Sequence, residues 1–372
     1  MSTSTTPLNR AAWIPADKKP FEVKDAPYPT PGPTEIVIKN HAVAINPIDW
    51  IMQDQGTGFA FRWIKFPFIF GSDVAGQVVQ VGSEITRFRV GDRVMGQATS
   101  TDEKINKASH GAFQLYTVLL EQTTTPISES MSFEEAAVMP LGLTTAAAGL
   151  FENEQLGLRY PSMQAKPIKE TVLIWGGSTS VGCNAIQLAV AAGYDVVSTA
   201  SPRNFDLVKS LGAREVFDYR DMNVTNNIVK SLEGQQLAGA MAIGEDSAFR
   251  CIDVLSRCKG HRHLAMATLP IPSQPKRFAA LQIVFHMITG MASIFARSRI
   301  HGIKTSVIWG SVAHSPVGNA VYRDYLPEAL ASGKFRAAPA PEGFGRGLDK
   351  IQDALKEQKK GVSAKKIVVS LP

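Results

Sequence analysis

The amino-acid sequence predicts an α/β protein in which a doubly wound parallel sheet is joined to a second, β-barrel-like domain. From about residue 171 onward, short apolar runs alternate with helical segments, which is the pattern of a parallel sheet with helices on both faces. Residues 35–121 instead contain short β-branched runs separated by turns, as in a small barrel. The chain has 372 residues and is 44% apolar, which is long for one domain and suits two.

The N-terminal part shows strands before its first clear helix start. β-branched residues dominate segments 35–39 and 74–82, which favours strands. Ser132 followed by Glu134 and Glu135 predicts a helix start, because the serine can cap backbone N–H groups and acidic residues favour the first turn. The turns between the strands are indicated by Pro31-Gly32, Gly82-Ser83 and Gly91-Asp92.

Strands and helices alternate in the second half of the chain. Gly193 and Gly212 each follow a helical segment, at the position where glycine commonly ends a helix. The predicted strands are residues 172–175, 195–199, 216–217, 240–243, 263–267 and 305–309. The predicted helices are residues 181–192, 203–211, 228–232 and 248–255. A last helix over 347–358 precedes a strand over 366–370, which we expect to return to the N-terminal domain.

These patterns divide the chain into two domains. We assign residues 1–135 and 318–372 to the β-barrel domain and residues 136–317 to the parallel-sheet domain, with an apolar insertion around 270–300. Its most apolar part, residues 278–296, is about long enough to cross a bilayer. Strand-like segments on both sides favour a buried or dimer-facing helix pair over a membrane span.

Composition narrows the possible partners. The formal net charge is +6, but the basic residues are scattered and no basic stripe with interleaved aromatics occurs, which argues against nucleic-acid binding. A mildly basic chain favours an anionic ligand such as a phosphorylated cofactor or an acidic carrier protein. The three cysteines form no CxxC pair and the N-terminus has no apolar leader, so we expect a cytoplasmic protein.

A glycine- and hydroxyl-rich turn lies between the first predicted strand of the parallel sheet and the helix that follows. Residues 174–182 have the sequence IWGGSTSVG, with Gly176, Thr179 and Gly182 at the three small positions of a dinucleotide fingerprint. Together with Ser178 and Ser180, Thr179 offers hydroxyls that can donate to phosphate oxygens beside the helix N-terminus. An ordinary Gly-Ser turn is the alternative, which the surrounding strand–helix–strand pattern makes less favourable.

The end of the next predicted strand indicates which dinucleotide binds. An enzyme that uses NAD would carry an acidic residue there for the ribose 2′-hydroxyl, but the residues at 197–204 contain no carboxylate. Ser201 and Arg203 can instead hold a 2′-phosphate, with Lys209 as a possible helper. The sequence therefore favours NADP(H), unless Arg203 merely opens a solvated helix.

At this point the sequence resembles the medium-chain dehydrogenase/reductase superfamily over nearly the whole chain. The resemblance implies a Rossmann dinucleotide-binding domain and a GroES-like β-barrel domain that carries catalytic and substrate residues. The motifs that carry it, in order, are residues 70–76 (FGSDVAG), 91–94 (GDRV), 111–114 (GAFQ), 140–146 (PLGLTTA) and 176–182 (GGSTSVG).

The zinc-binding positions of that superfamily are altered here. Zinc-dependent members carry a cysteine near the first loop and a His-Glu pair after the glycine of the F-G motif. Here Ser72 and Asp73 take the place of that pair, and no cysteine precedes Cys183. Two aspartates, Asp49 and Asp73, make a poor zinc site without soft ligands. We therefore expect no metal, as in the zinc-free quinone and enoyl reductases.

Within that branch, residues 46–50 (NPIDW), 201–204 (SPRN) and 361–363 (GVS), together with Tyr219 and the apolar insertion, carry a narrower resemblance. By these features the chain resembles fungal stand-alone enoyl reductases that act in trans with polyketide synthases. Members often carry a lysine after the Asp-Trp pair, whereas Ile51 and Met52 stand here. The resemblance implies that the following residues contact NADPH: Pro47, Ile48, Asp49, Trp50, Gly177, Ser178, Thr179, Ser180, Val181, Ser201, Pro202, Arg203, Asn204, Tyr219, Thr268, Leu269, Val362 and Ser363. It places the following residues at the substrate: Pro140, Leu141, Gly142, Leu143, Thr144, Thr145, Ala146 and Ala147, with Met287 and Met291 from the apolar insertion.

The expected reaction transfers hydride to the β-carbon of an α,β-unsaturated carbonyl. Thr144 or Thr145 is a candidate donor to the developing enolate oxygen, although both can equally be ordinary helix residues. Asp49 is a candidate acid for the α-carbon, with backbone capping as its alternative role; Tyr116 and Tyr219 are other possible donors.

Three functions remain open. The first is an NADPH-dependent enoyl reductase of secondary metabolism, with a possible polyketide synthase partner. The second is a quinone or enone reductase acting on free small molecules. The third is a non-catalytic NADPH-binding partner of a synthase. In each case we expect a monomer or homodimer without nucleic acid or membrane.

Overall fold

The computed structural model describes residues 7–58, 60–268, 279–309 and 311–372, without the side chains of 279–284. The strands are β1 (Asn9–Ile14), β2 (Glu22–Ala26), β3 (Glu35–Ala44), β4 (Phe68–Ile69), β5 (Asp73–Val81), β6 (Arg93–Gln97), β7 (Tyr116–Leu120), β8 (Thr124–Pro126), β9 (Glu170–Trp175), β10 (Asp195–Ala200), β11 (Glu215–Asp218), β12 (Gln236–Ala242), β13 (Lys259–Gly260), β14 (His263–Met266), β15 (Lys304–Val307), β16 (Ala340–Arg346) and β17 (Lys365–Ser370).

The α-helices are α1 (Pro47–Gln55), α2 (Phe133–Ala137), α3 (Pro140–Phe151), α4 (Ser180–Ala191), α5 (Phe205–Ser210), α6 (Val224–Ser231), α7 (Ser247–Arg257), α8 (Ala279–Ile300), α9 (Pro316–Gly318), α10 (Leu326–Ala331) and α11 (Ile351–Lys360). Short 3-10 turns occupy Ala108–His110, Glu121–Thr123, Pro202–Asn204 and Leu348–Lys350, and a π-helix spans Asn319–Tyr325.

The chain forms two compact units, Met1–Leu141 with Tyr322–Pro372, and Gly142–Val321. The first unit is built mainly of antiparallel strands in the order β16-β17-β3-β5-β6-β8, with β7 also paired to β3. Val368 of β17 pairs with Ala44 of β3, which confirms that the C-terminal strand returns to the N-terminal sheet. The predicted helix start at Ser132 is also confirmed, because its hydroxyl accepts the Glu135 N–H.

The second unit contains the predicted parallel sheet. Its main strands are ordered β11-β10-β9-β12-β14-β15, and all their pairings are parallel. Counted along the chain this is the order 3-2-1-4-5-6, the doubly wound arrangement in which ligands bind at the carboxyl ends of the strands where the order reverses. The central strand β9 is buried from Thr171 to Trp175, as expected for a parallel strand covered on both faces.

The apolar insertion differs in its described part from the predicted helix pair, buried or dimer-facing. Its described part is the single helix α8, with Phe285 and Phe295 64% and 58% exposed, while Ile294 is buried. The hydroxyls of Thr289 and Ser293 donate to backbone carbonyls four residues earlier, so these polar residues are accommodated within one continuous helix. Among the described residues, no helix combines the length and the hydropathy that a bilayer crossing requires.

Candidate active site

The glycine- and hydroxyl-rich turn joins β9 to the N-terminus of α4. Thr179 is the N-cap residue: its Oγ1 accepts the Gly182 N–H at 3.0 Å and donates to the Gly176 carbonyl at 2.8 Å. The Thr179 hydroxyl therefore closes the turn in this structure, and its predicted donation to a phosphate oxygen stays a prediction. The first backbone N–H groups of α4 still face the end of the strand, where an anion is favoured.

The turn is too tight for side chains at two of its glycines. Gly176 has φ +88°, in the left-handed region. A Cβ added at Gly182 would lie 2.2 Å from the Gly176 carbonyl oxygen, so helix and strand cross at a distance that admits only glycine. This is the close approach that a dinucleotide-binding turn requires.

The end of β10 is tied to the turn by a buried amide. The Asn204 Nδ2 donates to Ser178 Oγ at 3.3 Å and to Ser201 Oγ at 3.2 Å, and Asn204 and Ser201 are both buried. Pro202 and Arg203 are exposed beside them, and Arg203 forms no hydrogen bond or ion pair with the rest of the described chain. The arrangement leaves a guanidinium group at the sheet edge that can meet a phosphate.

Tyr219 follows β11, the strand that neighbours β10 in the sheet. Ala200 of β10 pairs with Asp218 of β11, so the residues that follow, Ser201 and Tyr219, leave the sheet side by side. Tyr219 is 42% exposed, and the Arg220 guanidinium lies 5.2 Å from its ring centroid. Sequence reasoning missed Arg220, although a basic residue directly after a predicted contact residue could have indicated a second cation at this edge.

A hydrogen bond joins the chain just beyond two further strands of this sheet, β12 and β14. The Thr268 hydroxyl, just beyond β14, accepts the Gly244 N–H at 2.9 Å and so joins the ends of β12 and β14. Leu269, the other predicted contact in this turn, lies outside the described residues.

The predicted substrate segment forms α3. Leu141 and Thr145 are half-buried, whereas Thr144 is fully buried. A Cβ at Gly142 would lie 2.5 Å from Ser180 Oγ, so the start of α3 packs against the start of α4. This contact brings the start of α3 next to the turn at 176–182. The other predicted substrate residues on α3, all buried, are Pro140, Leu143, Ala146 and Ala147.

Met287 and Met291 are the predicted substrate residues on α8. Both are half-buried, and Met291 packs against the hydrophobic core of the second unit. Their contact with an acyl chain stays a prediction.

In the first unit, the predicted contact residues at 47–50 lie on α1. Asp49 is buried and its Oδ2 accepts the Asn46 N–H at 2.7 Å, which favours the capping role over direct contact with a substrate. Burial and the nearby Asp73 charge raise the pKa of Asp49 to about 7. Pro47 is exposed, and the buried Trp50 Nε1 has no hydrogen-bond partner among the described residues.

Val362 and Ser363 are the remaining predicted cofactor contacts in the first unit. Both are exposed in the segment between α11 and β17. Their role towards a cofactor stays a prediction.

A buried ionic network surrounds Asp73. The Lys366 Nζ lies 2.8 Å from Asp73 Oδ2 and 2.5 Å from Asn46 Oδ1, and Asn46 Nδ2 donates to Asp73 Oδ2 at 2.8 Å. Sequence reasoning missed Lys366 and Asn46. Alternation in a strand could have indicated the lysine, because Lys365 and Lys366 must point to opposite faces. The described chain contains no cluster of three or more His, Cys, Asp or Glu side chains that could hold a metal ion.

The raised pKa of Asp49 leads to a prediction about stability. Because its pKa is about 7 in the folded protein and 3.8 ordinarily, the folded chain keeps a proton that the unfolded chain releases, so stability falls as pH rises from about 4 to about 7. Asp49→Asn removes this pH dependence. The free energy of unfolding of the variant, relative to that of wild type, should therefore be higher at pH 8 than at pH 4 by up to about 4 kcal/mol. Urea unfolding at both pH values, with Asp54→Asn on the same helix as control, measures the effect; equal pH dependence in wild type and Asp49→Asn contradicts it.

The comparisons with known proteins agree with this geometry. Residues 32–129 match the alcohol dehydrogenase GroES-like domain. The crystal structure of an alcohol dehydrogenase superfamily protein from Novosphingobium aromaticivorans superimposes with a TM-score of 0.72 at 23% identity, over 98% of this chain and 100% of that one. The dehydrogenase pigH of Monascus ruber is 53% identical over 98% of this chain and 100% of its own length. The chain belongs to the medium-chain dehydrogenase/reductase superfamily.

A second relative narrows the branch within this superfamily. The trans-enoyl reductase himH of Aspergillus japonicus is 39% identical over 98% of this chain and 98% of its own length. As a medium-chain dehydrogenase/reductase similar to fungal enoyl reductases, the chain is an oxidoreductase, and its fold implies a nicotinamide dinucleotide cofactor. The predicted α/β fold with a GroES-like domain is confirmed.

Proposed function

We propose that the chain is an NADPH-dependent, zinc-free enoyl reductase that reduces α,β-unsaturated carbonyl compounds in fungal polyketide biosynthesis. The observation that carries the proposal is the pairing of Asp73 with Lys366. Ser72 and Asp73 occupy the place where zinc enzymes of this superfamily carry a His-Glu pair, and here the Asp73 carboxylate faces an ammonium group. A carboxylate that is already paired with an ammonium group is less available to a metal ion, which supports activation of the substrate by hydrogen bonding.

The residues at the sheet edge of the second unit fit a phosphorylated dinucleotide. In the turn at 176–182, Gly182 lets the N-terminus of α4 pack directly on the end of β9, as the glycines of a dinucleotide-binding turn do. Ser201 and Arg203 supply a hydroxyl and a cation where an NAD enzyme carries a carboxylate, and Arg220 adds a second cation after the neighbouring strand β11. This donor set supports NADPH over NADH.

The chemistry needs a hydrogen-bond donor at the substrate carbonyl. When bound, the reduced nicotinamide supplies hydride for the β-carbon. Thr145 is the better-placed candidate of the two threonines, because it is half-buried whereas Thr144 is fully buried. A hydroxyl aimed at the carbonyl oxygen stabilises the charge that develops on it. Asp49 can hold a proton at neutral pH because of its raised pKa, but its buried capping geometry favours water as the source of the α-carbon proton.

Thr145→Val tests this assignment. We expect kcat to fall about 100-fold, the typical effect of removing one donor to a developing oxyanion, with the Kd for NADPH changed less than about 3-fold. Thr144→Val, which alters the neighbouring buried threonine, is the comparison. A larger loss in Thr144→Val than in Thr145→Val would transfer the donor role to Thr144.

The substrate class is tested by direct competition between acceptors. Purified protein with NADPH is offered an enoyl thioester on a carrier, the free enone and a free quinone, and NADPH oxidation is followed. The proposal predicts fastest turnover of the thioester, in keeping with the relatives named trans-enoyl reductases. Preference for the quinone supports the alternative of a free-quinone reductase. Tight NADPH binding without turnover of any acceptor supports a non-catalytic role beside a cytoplasmic polyketide synthase.

A further inference from the structure

Lys366 is an unusual lysine because it is almost completely buried. Its neighbour on β17, Lys365, is exposed and pairs with Glu342, whereas Lys366 is 4% exposed. Lysine is rarely buried to this extent unless its charge is paired. The two adjacent lysines therefore differ in environment, one solvated and one enclosed in the first unit.

The enclosed ammonium is part of a closed ring of polar contacts. Lys366 Nζ contacts both Asp73 and Asn46, and the Asn46 amide joins the other two by accepting from the lysine and donating to the carboxylate. Asp73 is 0% exposed and Asn46 is 3% exposed. Each member fixes the orientation of the other two, since a buried polar group that loses a partner is strongly destabilised.

The second carboxylate oxygen of Asp73 forms a hydrogen bond outside this ring, with the backbone at the start of α3. Asp73 Oδ1 accepts the Leu141 N–H at 2.5 Å, and the buried Tyr322 hydroxyl donates to the Pro140 carbonyl at 3.1 Å. The first residues of α3 are thus held by side chains from β5 and from the π-helix. A carboxylate at this position also suits the N-terminus of a helix electrostatically.

Stability alone does not account for such a pair. Removing one member of a buried ion pair is strongly destabilising, but replacing both members with uncharged residues is often neutral or stabilising. A neutral acceptor at residue 73 could also bind the Leu141 N–H. The charged pair adds a strong constraint on the orientation of the carboxylate, without a net charge at the start of α3.

We propose that Lys366 is a positioning residue for the reaction: it orients Asp73, Asp73 fixes the backbone of Leu141, and Thr145, one turn further along α3, thereby keeps its place. The inference rests on the proposed function, in which Thr145 contacts the substrate. Lys366 itself contacts neither substrate nor cofactor in this role.

Lys366→Met and Lys366→Arg test the proposal, with Lys365→Met as the matched control on the same strand. We expect Lys366→Met to lower kcat about 100-fold, with KM and the Kd for NADPH within about 3-fold of wild type. Lys366→Arg, which keeps the cation, should recover kcat to within about 10-fold, and Lys365→Met should match wild type. Unchanged kcat in folded Lys366→Met overturns the proposal, as does an Arg variant no better than the Met variant.

The double variant Asp73→Asn/Lys366→Met keeps the test decisive if Lys366→Met does not fold. It carries no unpaired buried charge, so it should unfold at a temperature close to that of wild type. We still expect a loss of about 10-fold or more in kcat, because the amide introduced at position 73 has no cation to orient it. A kcat equal to that of wild type would refute the positioning role.

Hydrogen exchange at Leu141 separates this proposal from the proposed function. Lys366→Met, or the double variant where the single one does not fold, should exchange the amides around Leu141 faster than Lys365→Met does. If wild type reduces no enone but the exchange rates around Leu141 differ as expected, the proposed function is wrong. The effect of Lys366 on the start of α3 is then still supported. If wild type is active and Leu141 exchanges equally in all variants, the positioning proposal fails alone.

Discussion

Replacing Gly182 with alanine is expected to weaken nicotinamide dinucleotide binding by about 100-fold or more. The added Cβ would lie 2.2 Å from the Gly176 carbonyl oxygen and 2.7 Å from the Gly177 Cα, so the turn has to open where the pyrophosphate would approach. Both contacts are with backbone atoms, which cannot move aside as a flexible side chain can. Equilibrium titration of protein fluorescence with NADPH measures the loss.

Gly343→Ala is the matched control for this substitution. A Cβ at Gly343 would meet no atom within 4 Å, and its φ lies outside the left-handed region. The control should bind NADPH as wild type does. Normal binding by Gly182→Ala would show that the turn at 176–182 is not the pyrophosphate site.

Arg203→Glu is expected to weaken NADPH binding by about 100-fold while NADH binding changes by less than about 3-fold. The exposed guanidinium lies beside buried Ser201, and charge reversal replaces attraction to the 2′-phosphate with repulsion. NADH lacks that phosphate and so does not sense the change. Titration of both cofactors against wild type and variant gives the four dissociation constants.

Arg214→Glu makes the same charge change at the opposite end of the sheet. Arg214 lies just before β11 and pairs with Asp195, at the amino ends of the strands. Its reversal should leave the preference for NADPH intact. Equal losses for NADPH and NADH in Arg203→Glu would remove Arg203 from the 2′-phosphate site.

The fold could be predicted from local patterns because the central strands of the parallel sheet, β9 and β12, are buried and glycines follow two of its helices. Gly193 and Gly212 follow α4 and α5 with positive φ, as their positions in the sequence suggested. The packing of helix α8 could not be predicted, because apolar residues on all of its sides do not indicate which face is packed within the chain. Phe285 and Phe295 belong to the exposed face.

The candidate site was predictable where one continuous segment forms it, as at residues 176–182, and not where distant segments meet. The ring of Asn46, Asp73 and Lys366 joins residues up to 320 positions apart, so no local spacing indicates it. The Thr179 hydroxyl was assigned to phosphate because hydroxyls at helix starts commonly bind anions, but the same atom can close its own turn.

The most direct test of the proposed function is the fate of the transferred hydrogen. Protein incubated with NADPH deuterated at C4 of the nicotinamide and an enoyl thioester should give a saturated product that carries deuterium at the β-carbon. Mass spectrometry and NMR of the product locate the label. A product without deuterium, or with deuterium on a carbinol carbon formed by carbonyl reduction, would contradict an enoyl reductase.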